Sequence, residues 1–102
     1  MDDKHDKYLL RLYIAGITAE NQKTIVDFEH LLQLKIEDNY SLEVIDIFAN
    51  PELADGDKIV ATPTLVKALP LPLMKVILDF NSKEKLLLGM DLILEEDEPN
   101  KD

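Results

Sequence analysis

The sequence predicts an α/β domain of the mixed α+β kind, founded on an N-terminal strand–helix–strand unit. Residues 8–14 form a nearly unbroken apolar run, Ile25, Phe28, Leu31, Leu32 and Ile36 recur at helical spacing, and Leu42, Val44, Ile45, Ile47 and Phe48 form a second apolar run. A parallel strand covered on both faces is apolar at almost every position, whereas a helix lying on a sheet needs only one apolar stripe. At 102 residues with 46% hydrophobic content, the chain supports one domain with a modest core.

The first strand, Tyr8 to Ile14, is ended by Ala15-Gly16-Ile17. Thr18 is a good helix N-cap, and Glu20 sits in the first turn where the helix dipole favours an acid. Asp38-Asn39 supplies the stop, because asparagine tolerates the left-handed conformation past a helix end. The second strand runs from Leu42 to Phe48 and carries Asp46, which a sheet edge or a backbone hydrogen bond would satisfy. Asn50-Pro51 then opens a short helix closed by Gly56, with proline at the first helical position.

Beyond Pro63 the local signals conflict. Thr64 to Leu69 reads as a strand, and Pro70-Leu71-Pro72 is a rigid break. Leu73, Val76, Ile77 and Phe80 lie at helical spacing, but Val76, Leu78 and Phe80 alternate as in a strand. Lys85 to Leu94 is equally divided: Ser82 would cap a helix, whereas Gly89 costs about 1 kcal/mol relative to alanine inside one. Residues 51–94 therefore carry weak, opposed preferences, as short apolar runs commonly do. Residues 1–6 and the acidic residues 95–102 are expected to be disordered, leaving 7–94 as the domain.

Composition excludes much chemistry. With no cysteine, disulfides, thiolate metal sites and thiol catalysis are all ruled out. A net charge of −10 disfavours nucleic acid, which rewards clustered cations, and favours basic patches on partners. No apolar leader or membrane-length run is evident, so a cytoplasmic protein is expected. Ser41 and Ser82 have no histidine beside them in sequence, His5 lies in a charged segment, and His30 lies off the buried stripe, three residues from Asp27. No glycine-rich phosphate loop or metal-ligand spacing occurs, so no catalytic, metal or cofactor residue is assigned. Tyr8, Tyr13 and Tyr40 are expected to bury their rings and keep polar tips. Lys23, Lys58, Lys67 and Lys75 are sparse cations in an acidic chain; each reads singly as solvated, and together as a surface able to meet an acidic partner.

Ala61-Thr62-Pro63-Thr64-Leu65 after a strand–helix–strand unit is where thioredoxin-like folds carry a cis-proline, here without the redox cysteines. A wider set of residues resembles one family. Leu12-Tyr13-Ile14-Ala15-Gly16, Val44-Ile45-Asp46-Ile47, Asn50-Pro51, Asp57-Lys58-Ile59, Ala61 to Leu65, Leu69-Pro70 with Pro72, and Gly89 with Asp91-Leu92 strongly resemble KaiB, the small circadian clock protein, over roughly residues 7–94. The resemblance implies a thioredoxin-like, non-enzymatic regulator that binds the N-terminal ring of a KaiC-type hexameric ATPase. It implies two arrangements: a resting βαββααβ order, usually a homodimer or homotetramer, and a partner-binding monomer with βαβαββα order. Residues 51–94 are the half that family members rearrange. Pro63, Pro70, Pro72, Gly89 and Asp91 fall on positions tied to that rearrangement. Lys23, Lys58, Lys67 and Lys75 fall on or near basic positions of the partner-facing surface.

A KaiA-like protein or a histidine kinase is implied as a further partner. The chain departs from clock-type members in having Met74-Lys75 for an arginine pair, Ile17 and Ala19 around the helix start, and Asp27 and Glu29 on the first helix. The implied output is accordingly a circadian clock or clock-related stress adaptation. The rival readings are a cysteine-independent thioredoxin-fold enzyme using a pocket near Pro63, a stand-alone sensor domain related to the SasA N-terminus, and a purely structural oligomer.

Overall fold

The computed structural model describes residues 7–94, in the order β1 (Tyr8–Ile14), α1 (Ala19–Ile36), β2 (Tyr40–Asp46), α2 (Pro51–Gly56), β3 (Thr64–Leu69), β4 (Met74–Ile77) and α3 (Lys83–Leu94). The segments expected to be disordered, 1–6 and 95–102, lie outside the described residues. The four strands form one sheet in the order β2-β1-β3-β4. β1 runs parallel to β2, from Tyr8 opposite Tyr40 to Ile14 opposite Asp46, and antiparallel to β3. β3 and β4 are antiparallel, with Thr64 opposite Ile77. The observed order is βαβαββα, the second of the two that the resemblance implies.

Alternation along β1 divides its side chains between two cores. Leu10, Leu12 and Ile14 face Phe28 and Leu32 of α1 and Leu86, Met90, Ile93 and Leu94 of α3. Tyr13 faces the other way and joins Ile45 and Val66 beneath Ala54 of α2. Thr18 caps α1 as expected, its Oγ1 accepting from the Asn21 N–H at 3.0 Å. The tyrosines also behave as expected, with the Tyr8 hydroxyl donating to the Leu94 carbonyl at 2.5 Å and Gln33 Nε2 donating to the Tyr40 hydroxyl at 3.2 Å.

Two boundaries differ from expectation, each for a local reason. The left-handed residue that ends α1 is Glu37 (φ 54°), not Asn39, whose carbonyl instead accepts from the Tyr8 N–H at the start of the β1–β2 pairing. The second strand stops at Asp46 rather than Phe48. There Asp46 Oδ1 accepts from the Gly16 and Phe48 amides at 2.9 and 3.0 Å, and its carbonyl accepts from Ala49 and Asn50, turning the chain. Gly16 has φ +91°, which a side chain would strain, and Phe48 lies outside at 72% exposure.

The ambiguous half resolves into strand, strand and helix. Ser82 caps α3 through its Oγ, which accepts from the Lys85 N–H at 3.2 Å. Leu86, Met90, Ile93 and Leu94 then form one buried stripe, leaving Leu88 and Leu92 outward. Gly89 lies where α3 meets β4: a methyl there would stand 3.1 Å from Leu78 Cδ2 and 3.7 Å from Val76 Cγ2. Asp91 pairs with Lys35 of α1. The bonds preceding Pro63, Pro70 and Pro72 are all cis.

Candidate partner-binding site

The most tightly specified surface feature is the turn that follows α2. The Ile59 amide donates to the Ala54 carbonyl at 2.9 Å, and the Lys58 amide to the Asp55 carbonyl at 3.1 Å. That pair of bonds is a Schellman motif, in which the residue past the helix end is left-handed and usually glycine. Gly56 was expected to close α2, yet it is the last helical residue; the left-handed position belongs to Lys58 (φ 57°). The apolar contact that accompanies the motif is present, since Ala54 and Ile59 both pack on the Tyr13–Ile45–Val66 core. A non-glycine residue in this conformation costs roughly 1–2 kcal/mol. Lys58 is exposed, and among the described residues its ammonium has no hydrogen-bond or ion-pair partner.

Asp57, the residue before it, ties the turn to the sheet. Its Oδ2 accepts from the Tyr13 hydroxyl at 2.5 Å and from Arg11 Nη1 at 3.1 Å. The Tyr13 hydroxyl also lies 3.2 Å from the Leu53 carbonyl oxygen, and Arg11 Nε is 3.9 Å from Glu43 across the β1–β2 pair. Burial, then the hydrogen bond and charge of Asp57, raise the Tyr13 phenol above its ordinary pKa of 10.0. Because the folded value is the higher one, this stabilisation is complete below pH 10 and is lost as pH rises beyond it. On the other side of the turn, Lys75 Nζ donates to the carbonyls of Asp57 and Lys58 at 3.1 and 3.0 Å.

Lys58 and Lys75 are thus brought together, and exposed apolar side chains surround them. Val60 is 88% exposed, Ile77 stands out on the same face of β4 as Lys75, and exposed Leu73 directly precedes that strand, beside a shallow hollow of about 200 Å³ lined by Lys58, Val60 and Ile77. The other two lysines are placed elsewhere. Lys23 is on α1, in the opposite layer, and pairs with Asp27 at 3.2 Å. His30, by contrast, is exposed and is not the partner of Asp27. Lys67 was expected on the partner-facing surface; in this fold it is fully buried, with Nζ donating to the Pro70 carbonyl at 2.7 Å. The cause is register, because Lys67 pairs with Leu10 and Met74 and so points into the α1–α3 core. Lys67→Met should therefore keep the folded midpoint, or raise it by up to about 1 kcal/mol in stability, since an apolar chain of similar length replaces a desolvated charge. Thermal melts check this; a loss above 2 kcal/mol would make the Pro70 contact a main support of the fold.

A second hollow, about 530 Å³, lies beside Pro63 between Ile14, Asn21, Thr62 and Phe80, with Glu20 and Asp79 at its wall. Its lining contains threonine hydroxyls but no serine, cysteine or histidine.

The network around Asp57 was not read from the sequence, although Arg11 and Tyr13 sit two apart on one strand face, the arrangement that allows both to reach one carboxylate. The family model described as the KaiB domain matches residues 11–92, which takes in Arg11, Tyr13, Asp57 and Lys58. The chain belongs to the KaiB family. The circadian clock oscillator protein KaiB of Acaryochloris marina is 45% identical over 89 residues, 87% of this chain and 86% of that protein. KaiB of Synechococcus elongatus is 44% identical over 86 residues, 84% of each chain. Among solved structures, the N-terminal domain of Synechococcus elongatus SasA is similar with a TM-score of 0.68 at 22% identity, covering 99% of this chain and 95% of that one. The germline-specific thioredoxin Deadhead of Drosophila melanogaster is similar with a TM-score of 0.63 at 18% identity, covering 87% and 83%. Both likenesses concern the thioredoxin-like fold of this KaiB-family domain.

Proposed function

We propose that this KaiB-family protein is a non-enzymatic regulator that binds the N-terminal ring of a KaiC-type hexameric ATPase and modulates its phosphorylation or signalling cycle. The observation that carries the reading is Lys58, held left-handed in an exposed turn with an ammonium that has no partner among the described residues, flanked by Val60, Ile77 and Lys75. A cation beside uncovered apolar side chains suits an acidic partner surface with an apolar centre. The curated relatives named circadian clock oscillator proteins support a role in timing or in clock-related stress adaptation. A homodimer or homotetramer would be the resting form, and a KaiA-like protein or a histidine kinase a further partner.

The test is co-elution of the full chain with the KaiC-type hexamer of its source organism, ATP present. Complex formation is expected, and absence of any complex at micromolar concentrations would overturn the reading. Regulation would act through the population of the binding-competent fold, since apparent affinity falls in proportion to that fraction.

Gly89→Ala adds about 1 kcal/mol of helix propensity to α3. It also sets a methyl 3.1 Å from Cδ2 of the buried Leu78, so the gain is realised only to the extent that this side chain shifts by a few tenths of an ångström. The net expectation is association with the ring up to about fivefold faster. Stopped-flow or surface-binding rates check it; an unchanged rate with an unchanged oligomer would count against a fold-population mechanism.

A further inference from the structure

Lys58 does not hold its own conformation. Its backbone is fixed from two sides, by a half-buried carboxylate and by the ammonium of Lys75. On one side the Asp57 carboxylate reaches the sheet through the Tyr13 hydroxyl and Arg11, both on β1, an interior strand held between β2 and β3. On the other side the carbonyls of Asp57 and Lys58 both accept from Lys75 on β4. We infer that Asp57 is a positioning residue for partner recognition, anchoring the end of α2 to β1 so that Lys58 takes the left-handed place in the Schellman turn and projects its ammonium outward. Lys75 clamps the same turn from β4, which makes it a support for Lys58 as well as a neighbouring charge.

The geometry favours this role over a generic stabilising one. Asp57 is half-buried and its carboxylate is engaged by Arg11 and Tyr13 of β1, so it is unsuited to contact a partner itself. The chain closes α2 without glycine at the left-handed position, so the turn needs a tether that glycine would make unnecessary. The tether sits one residue from the cation, where a small rotation of the backbone displaces a long side chain by several ångströms.

This inference rests on the proposed ATPase-ring reading, and a double-mutant cycle separates the two. The full chain, Lys58→Met, Asp57→Asn and the double variant are each titrated against the ATP-loaded ring. Lys58→Met should weaken binding about tenfold and Asp57→Asn about fivefold. In the Lys58→Met background, Asp57→Asn should cost nothing further, because the group it positions is gone. An equal loss in both backgrounds would make Asp57 a mere support of the fold and overturn the inference. No loss on Lys58→Met would overturn the assignment of Lys58 itself.

A measurement without the ring keeps the inference testable if no complex forms. Hydrogen exchange of the Lys58 and Ile59 amides should accelerate at least tenfold in Asp57→Asn, with the β1 amides unchanged and the Tyr13 phenol deprotonating at lower pH than in the parent chain. Unchanged exchange at Lys58 and Ile59 would overturn it. Asp57→Glu, which keeps the charge, should restore part of both the binding and the protection.

Discussion

Phe28→Ala should cost about 3–5 kcal/mol of folding stability, the largest loss expected from a single truncation here. Phe28 is fully buried at the centre of the α1–α3 core. Its ring meets Phe80 edge-on, with centroids 6.1 Å apart and planes at 78°. Truncation removes the transfer free energy of the ring, leaves a cavity under both helices and deletes an aromatic pair. Since small domains hold only about 5–15 kcal/mol in all, the loss is a large fraction of the total. Urea unfolding should show a midpoint lowered by more than about 1.5 M, at a slope near 1–3 kcal/mol per molar. Val26→Ala, on the outer face of the same helix at 50% exposure, should move it by less than a quarter of that. A midpoint within about 0.5 M of the parent, roughly the size of a surface effect, would mean that α1 does not pack as described.

Lys58→Gly should raise stability and lower partner binding together. Glycine relieves the left-handed strain of roughly 1–2 kcal/mol and gives back about 0.5–1 kcal/mol through unfolded-chain entropy. The net gain of about 0.5–1 kcal/mol should raise Tm by roughly 3–6 °C in a domain of this size. The same substitution removes the exposed ammonium of the α2–β3 turn, and binding to the KaiC-type ring should weaken at least tenfold, or about 1.4 kcal/mol. Opposite signs are the mark of a residue kept for function against the preference of its backbone. A lower Tm would contradict the strain assigned to Lys58, and unchanged binding would contradict its role.

The N-terminal half was legible because its signals agree with one another. The apolar run of β1, the Thr18 cap and the stripe through Phe28 and Leu32 each specify one local structure, and that structure is present. The ends of α1 and β2 were less legible because side chains from other elements decide them: Asp46 turns the chain by capping the Gly16 amide, thirty residues away in sequence. In residues 51–94, β4 and α3 are both short and apolar, and only the sheet edge and the Ser82 cap decide between strand and helix.

The candidate site was legible in part. Lys58 and Lys75 stood out as sparse cations in an acidic chain, but burial of Lys67 depends on strand register, which a one-residue shift would reverse. The Asp57 tether depends on β1 and the α2 turn meeting in space, a contact between residues forty-four apart in sequence that periodicity does not encode.

Hydrogen exchange on the full chain, free and bound to the ATP-loaded KaiC-type hexamer, tests the central claim most directly. Binding should add protection at residues 58–60 and 74–77, while the α3 amides of residues 86–94 keep the protection of a helix in the complex. A complex that leaves 58–60 and 74–77 unprotected, or in which residues 86–94 lose their helical protection, would contradict recognition through this fold and this face.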